Sequence, residues 1–292
     1  MTSAYGDHWW HRSLLAFVRQ DQGRYDEAGT LGEHVLAQQA DSGHAVHALT
    51  HVYYETGAHS RGLSWLDAWL TTCGRSANHR AHFSWHAALH ELSLADLAGV
   101  RSRYHAQLAP PRVSAVRCLV DSASLLWRCR LADMWPGRLP VADVLEHAGP
   151  ALLSRPETPF TGLHAAFALA AAHGGPGLAR LRDRLSRDAG AVQRDVLVPL
   201  CDALMAMLDQ QWKLAATLLR PLRVPLVGIG GSAAQREIVE ETLLFCLVPA
   251  PASRADTGQA VWQLGHQNRL RASMTAAATG VPQTRHGRPV RR

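Results

Sequence analysis

Apolar residues recur every three or four positions along most of the chain. In the opening stretch Trp9, Trp10, Leu14, Leu15, Phe17 and Val18 fall at helical intervals and predict a helix over 8–21. GRYDEA (23–28) reads as a tight turn opening a second helix. GHAVHALTHVYYE reads as a third, stopped by Gly57, and GLSWLDAWL begins the next. HFSWHAALHELSL and LADLAGVRSRYHAQL follow. Pro110 and Pro111 end the latter, because proline lacks the donor that an interior helical ladder needs. Beyond residue 112 the same spacing predicts helices over 113–135, 141–153, 160–173, 177–188, 192–208, 211–222, 233–247 and 257–274. Alternating β-branched runs and Asn-Gly hairpins are absent, so strands are not expected.

Aligning the turns exposes a repeat. GRYDEA and GAHSRG (57–62) lie roughly 34 residues apart, and LADLAG follows about 38 residues later, counted at Ala95. The additional residues fall in the TTCGRSAN loop. Two helices in a period of about 34 residues is the tetratricopeptide pattern. Gly23, Ala28, Gly57 and Gly62 are expected to let paired helices approach. The expected fold is all-α: a tetratricopeptide-like solenoid of helical hairpins, about seven of them, over 1–279 with a flexible basic tail over 280–292.

Histidines stand out against this amphipathic background. His47, His51 and Glu55 are spaced i, i+4, i+8 and share one helical stripe, with His44 at its upper edge; His82, His86 and His90 repeat the spacing. An HxxxH pair can grip one metal ion, because ring nitrogens one turn apart converge. His47, His51, His82 and His86 are therefore candidate ligands for a divalent transition metal. The early positions of a repeat's first helix line the concave surface of a tetratricopeptide solenoid. That places His47, His51 and His82 in or beside a polar groove for a protein, a peptide or a small molecule. Alternatively, the histidines with Glu55 could perform acid–base chemistry, since imidazole titrates near neutrality. The bland reading is structural histidines in a histidine-rich chain.

Other features divide between packing and function. Arg117, Asp121, Ser124 and Arg128 form a polar stripe within an apolar helix. It reads as a solvated or inter-helix ion-pair face, or as a carboxylate reaching the histidines. GIGGSAAQ (228–235) lacks the phosphate-loop pattern, and Ser232 with Gln235 reads as a helix capping box. The tryptophans read as core, with Trp85, between His82 and His86, as a stacking wall for a ligand.

Four of these segments occur in an order that resembles a known family: HAVHALTHVYYETG, HFSWHAALHELSLADL, LVDSASLLWR and VGIGGSAAQREIVEETLL. Together they resemble the tetratricopeptide repeat protein 38 family over about residues 10–270. The resemblance implies a helical solenoid and no settled activity. It matches His47, His51 and Glu55, then His82, Trp85 and His86, then Asp121 and Trp127, then Ser232, Gln235 and Arg236. Ser84 departs from the pattern, standing where an aromatic residue is usual.

Composition narrows the partners. The formal net charge is +6, but Arg285, Arg288, Arg291 and Arg292 in the tail supply much of it, so no specific nucleic-acid face is expected. Five scattered cysteines without a CxxC pair suggest reduced, mostly buried thiols in a cytoplasmic protein. No apolar run reaches the ~20 residues of a membrane span, and the N-terminus does not read as a signal peptide.

Overall fold

The computed structural model describes residues 8–76, 80–187 and 190–247. Their secondary structure is all-helical, with no strand among the described residues, as the apolar spacing predicts. The helix expected over 257–274 and the tail over 280–292 lie outside the described residues. The described residues fall into two compact units, divided after Ala58.

In the first unit, α1 (Trp9–Asp21), α2 (Tyr25–Gln38) and α3 (Gly43–Glu55) pack on one another. Ala16, Ala28, Val35, Ala45, Val46, Ala48 and Leu49 are buried there. A Cβ added to Gly32 of α2 would come within 2.8 Å of Leu49 Cγ, so this glycine seats α3. Gly23 does not have that role, contrary to expectation, since a Cβ there meets nothing within 4 Å. What it supplies is backbone conformation, as shown below.

The second unit begins with α4 (His59–Thr71), α5 (Arg80–Ser93) and α6 (Leu97–Arg103, extended by a π turn over Tyr104–Leu108). Helix α7 comprises Ala115–Arg117, a π turn over Cys118–Ser122, and Ala123–Leu131. Then come α8 (Val141–Ser154), α9 (Pro159–Ala171), α10 (Gly175–Ser186), α11 (a π turn over Gln193–Leu197 running into Val198–Leu208), α12 (Trp212–Leu219) and α13 (Ala233–Leu247). Helix α7 packs on α5, α8, α9 and α13, and α9 packs in turn on α8, α10 and α11. Every residue of α9 from Thr161 to Ala171 is buried, which is why its sequence, TGLHAAFALAA, is apolar on all sides. Thr158 and Thr161 close a capping box in front of it.

One joint recurs through both units. Gly23, Gly57, Ala95, Asp133, His173 and Gln210 each end a helix with φ between 53° and 75°. At each, two main-chain hydrogen bonds close the turn: Arg24 N–H to Arg19 O and Gly23 N–H to Gln20 O, for example, or Gln211 N–H to Ala206 O and Gln210 N–H to Met207 O. This is the Schellman motif, in which the left-handed residue turns the chain and the last carbonyls find donors. The six positions lie roughly 34 to 40 residues apart. The helical repeat read from the first three turns therefore continues past residue 112, with Asp133, His173 and Gln210 where glycine is usual.

Some expected bounds shift for local reasons. The helix expected over 113–135 runs from Ala115 to Leu131, capped at Ser114, whose hydroxyl accepts from Arg117 N–H. The helix expected over 211–222 stops at Leu219, and Pro221 carries the chain into 3-10 turns. Four cysteines, Cys118, Cys129, Cys201 and Cys246, are buried and Cys73 is exposed, all as thiols. Among the described residues no helix is long and apolar enough to cross a membrane.

Candidate functional site

Each unit carries its own histidine pair. In the first, His47 and His51 stand one turn apart on α3, with their Nε2 atoms 3.1 Å apart and ring centroids 4.8 Å apart. Phe17 of α1 packs on both, 5.1 Å from His47 and edge-on at 6.2 Å from His51. His51 is buried and His47 half-buried; Glu55 is half-buried at the end of α3, and His44 is exposed.

The second unit brings His82, Trp85, His86 and Asp121 together, and all four are buried. His82 and His86 sit one turn apart on α5 with ring centroids 4.7 Å apart, and Trp85 stacks on His82 at 5.4 Å and 11°. Asp121 comes from the π turn of α7. One extra residue in that turn lets Ala123 N–H reach back to Cys118 O. A carboxylate only accepts, so the 3.1 Å contact assigns His82 Nδ1 as the donor to Asp121 Oδ1. Arg117, at the outer edge, lies 3.6 Å from Asp121 Oδ2. The carboxylate of the polar stripe on α7 thus reaches a histidine of α5, while its pair with Arg117 lies within α7 itself.

Further along the same stripe, Arg128 is fully buried. Its Nη2 donates to Ala234 O at 2.8 Å, Nη1 to Ser124 Oγ, and Nε lies 2.8 Å from Glu241 Oε2 on α13. Its guanidinium sits 5.7 Å from the centroid of the Trp85 ring. Burial pushes the Glu241 carboxyl above its ordinary range, while the charge of Arg128 and its hydrogen bond pull the other way. Trp127 donates its indole N–H to Thr242 Oγ1 at 2.9 Å. Two reciprocal bonds, Ser232 N–H to Gln235 Oε1 and Gln235 N–H to Ser232 Oγ, close the capping box expected at the head of α13.

His164, which the apolar spacing of α9 conceals, completes this interior. It is buried, Phe160 meets it edge-on at 4.7 Å, and neither ring nitrogen has a hydrogen-bond partner among the described residues. Burial pushes its pKa down to about 3; the Asp121 carboxylate acts to raise it and Arg128 to lower it further. His164 is therefore neutral near neutral pH and offers one donor and one acceptor. Trp85 Nε1 and Asp121 Oδ2 likewise lack hydrogen-bond partners among the described residues. Buried polar atoms are rarely left so. Arg128, which lies over Trp85, and Asp121, which accepts from His82, both act electrostatically on His164.

His164 has a measurable consequence. A histidine whose folded pKa is depressed favours the fold above its unfolded value of 6.5, and that contribution is lost as pH falls toward 3. Unfolding free energy from urea titration should fall across this window by up to about 1.4 kcal/mol per pH unit from this group. His164→Leu should flatten that slope; an unchanged slope would remove His164 as its source.

The tryptophans divide more evenly than expected. Trp69, Trp85 and Trp127 are core, whereas Trp10 is 50% exposed. No protein-family model and no solved structure matches the chain.

Proposed function

We propose that this protein is a tetratricopeptide-like repeat protein, akin to the tetratricopeptide repeat protein 38 family, that binds a small polar ligand among His82, Trp85, His86, Asp121 and His164. The recurrent left-handed joint and the helix pairs on either side of it support the repeat reading. The observation that carries the binding reading is the buried His82–Asp121 couple, together with buried polar atoms of Trp85, Asp121 and His164 that lack hydrogen-bond partners among the described residues. Their burial favours a small molecule over a peptide laid on an open surface. Arg128 pairs with Glu241 and Arg117 with Asp121, so the charges largely cancel. A neutral His164 and the Trp85 indole N–H then suit hydroxyl or carbonyl groups.

Acid–base chemistry is the second reading, favoured by one specific feature. Asp121 holds the Nδ1–H tautomer of His82, which leaves Nε2 as the basic nitrogen. A carboxylate orients an imidazole base in this way in hydrolytic triads.

Native mass spectrometry of the full chain, purified without an affinity tag, tests the binding reading. A non-covalent mass released on acid denaturation is expected for wild type. Asp121→Asn should lower its occupancy about tenfold or more, since bonds to charged groups contribute about 1.5–3 kcal/mol. A wild-type protein that carries no such mass, and gains no thermal stability from a panel of small hydroxylated and carbonyl compounds, would overturn it.

A further inference from the structure

A second site stands on an independent observation in the first unit. We propose that His47 and His51 are two protein ligands of a divalent transition metal of the zinc–copper class. Their Nε2 atoms already approach to 3.1 Å from rings one helical turn apart. Two imidazole nitrogens bound tetrahedrally to zinc at ~2.0–2.1 Å are about 3.3–3.4 Å apart. Opening the pair by a few tenths of an ångström is therefore enough to admit the ion.

The scaffold keeps this geometry. Ala48, Leu49 and Thr50, between the two histidines, are buried, as are Ala45, Val46, Tyr53 and Tyr54 around them, so α3 cannot rotate without unpacking its unit. Phe17 packs on both rings. His47 is half-buried, which leaves the ion a route from solvent and lets water fill further coordination positions. Ligand chemistry sets the class: imidazole nitrogens suit zinc, copper or nickel, whereas calcium and magnesium take oxygen. The proton between the two Nε2 atoms belongs to one ring. On binding, that ring keeps a proton at Nδ1 instead, both Nε2 lone pairs face the metal, and no net charge is lost from the protein.

The test uses the full chain without an affinity tag, stripped of metal. Zn²⁺ is titrated in competition with a chromophoric chelator, and Cu²⁺ is followed by electron paramagnetic resonance. Wild type is expected to take one tight equivalent of Zn²⁺, and its Cu²⁺ spectrum to show coupling to imidazole nitrogens. His47→Ala should weaken binding about tenfold or more, the scale seen even for residues that only support a ligand, and should remove one nitrogen coupling. His44→Ala, at an exposed position on the same helix, should bind as wild type does. His51→Ala removes a buried ring and can lose its fold, so His47→Ala decides the matter, with its metal-free helicity checked by circular dichroism. Wild-type affinity and nitrogen coupling in His47→Ala, or no tight equivalent in wild type, would overturn the assignment.

Discussion

Replacing Arg128 by methionine is expected to destabilise the fold by about 3–5 kcal/mol, read from urea unfolding at neutral pH. The guanidinium is fully buried, and its removal strands the buried Glu241 carboxylate 2.8 Å away and takes a side-chain donor from Ala234 O. The cost of breaking such a pair comes mainly from the charge left behind. The double variant Arg128→Met/Glu241→Leu should therefore recover much of the loss. The penalty also depends on pH, with a definite sign. A carboxyl whose folded pKa is raised favours the fold below its ordinary 4.5, and this is lost as pH rises through the folded value. Without Arg128 nothing offsets the effect of burial on Glu241, so the loss extends to higher pH. The single variant should then be less impaired near pH ~4 than near ~7. An equal penalty at both would mean that the guanidinium acts through packing on Trp85 and not through charge.

Trp127→Ala should have a comparable effect, about 3–5 kcal/mol, for a different reason. The indole is buried, packs against Phe167 at 5.3 Å, carries Arg130 at 5.7 Å and bonds to Thr242. Truncation opens a large cavity where α7, α9 and α13 meet. Trp127→Phe keeps most of the apolar surface and loses the hydrogen bond, so it should cost about 1–2 kcal/mol. Urea midpoints for the two variants separate the contributions. A loss below about 1 kcal/mol for the alanine variant would mean that the helices close over the gap.

The helices were legible because their apolar period survives the whole described length, and Gly23, Gly57 and the LADLAG turn at Ala95 marked the first three joints. The later joints were hidden, because main-chain hydrogen bonds shape them and admit Asp133, His173 and Gln210 at about 1–2 kcal/mol each for the left-handed backbone. Histidine spacing announced both HxxxH pairs, and the polar stripe on α7 announced Asp121 and Arg128. The partners of that stripe could not be read, since His82 lies 39 residues from Asp121 along the chain and Ala234 lies 106 from Arg128. His164 gave no signal beyond one polar residue in an apolar helix. Its significance comes from burial and from the neighbouring charges of Asp121 and Arg128, which local sequence does not record.

The π turn over Cys118–Ser122 lets one helix face two neighbours at once. Each residue of an α-helix advances the chain by about 100°, so an added residue re-phases everything that follows it. Asp121 is presented to α5, while Arg128, two turns on, reaches α13. Shortening the chain by a single residue in this turn would restore an uninterrupted spiral, and α7 would have to give up one of those two attachments.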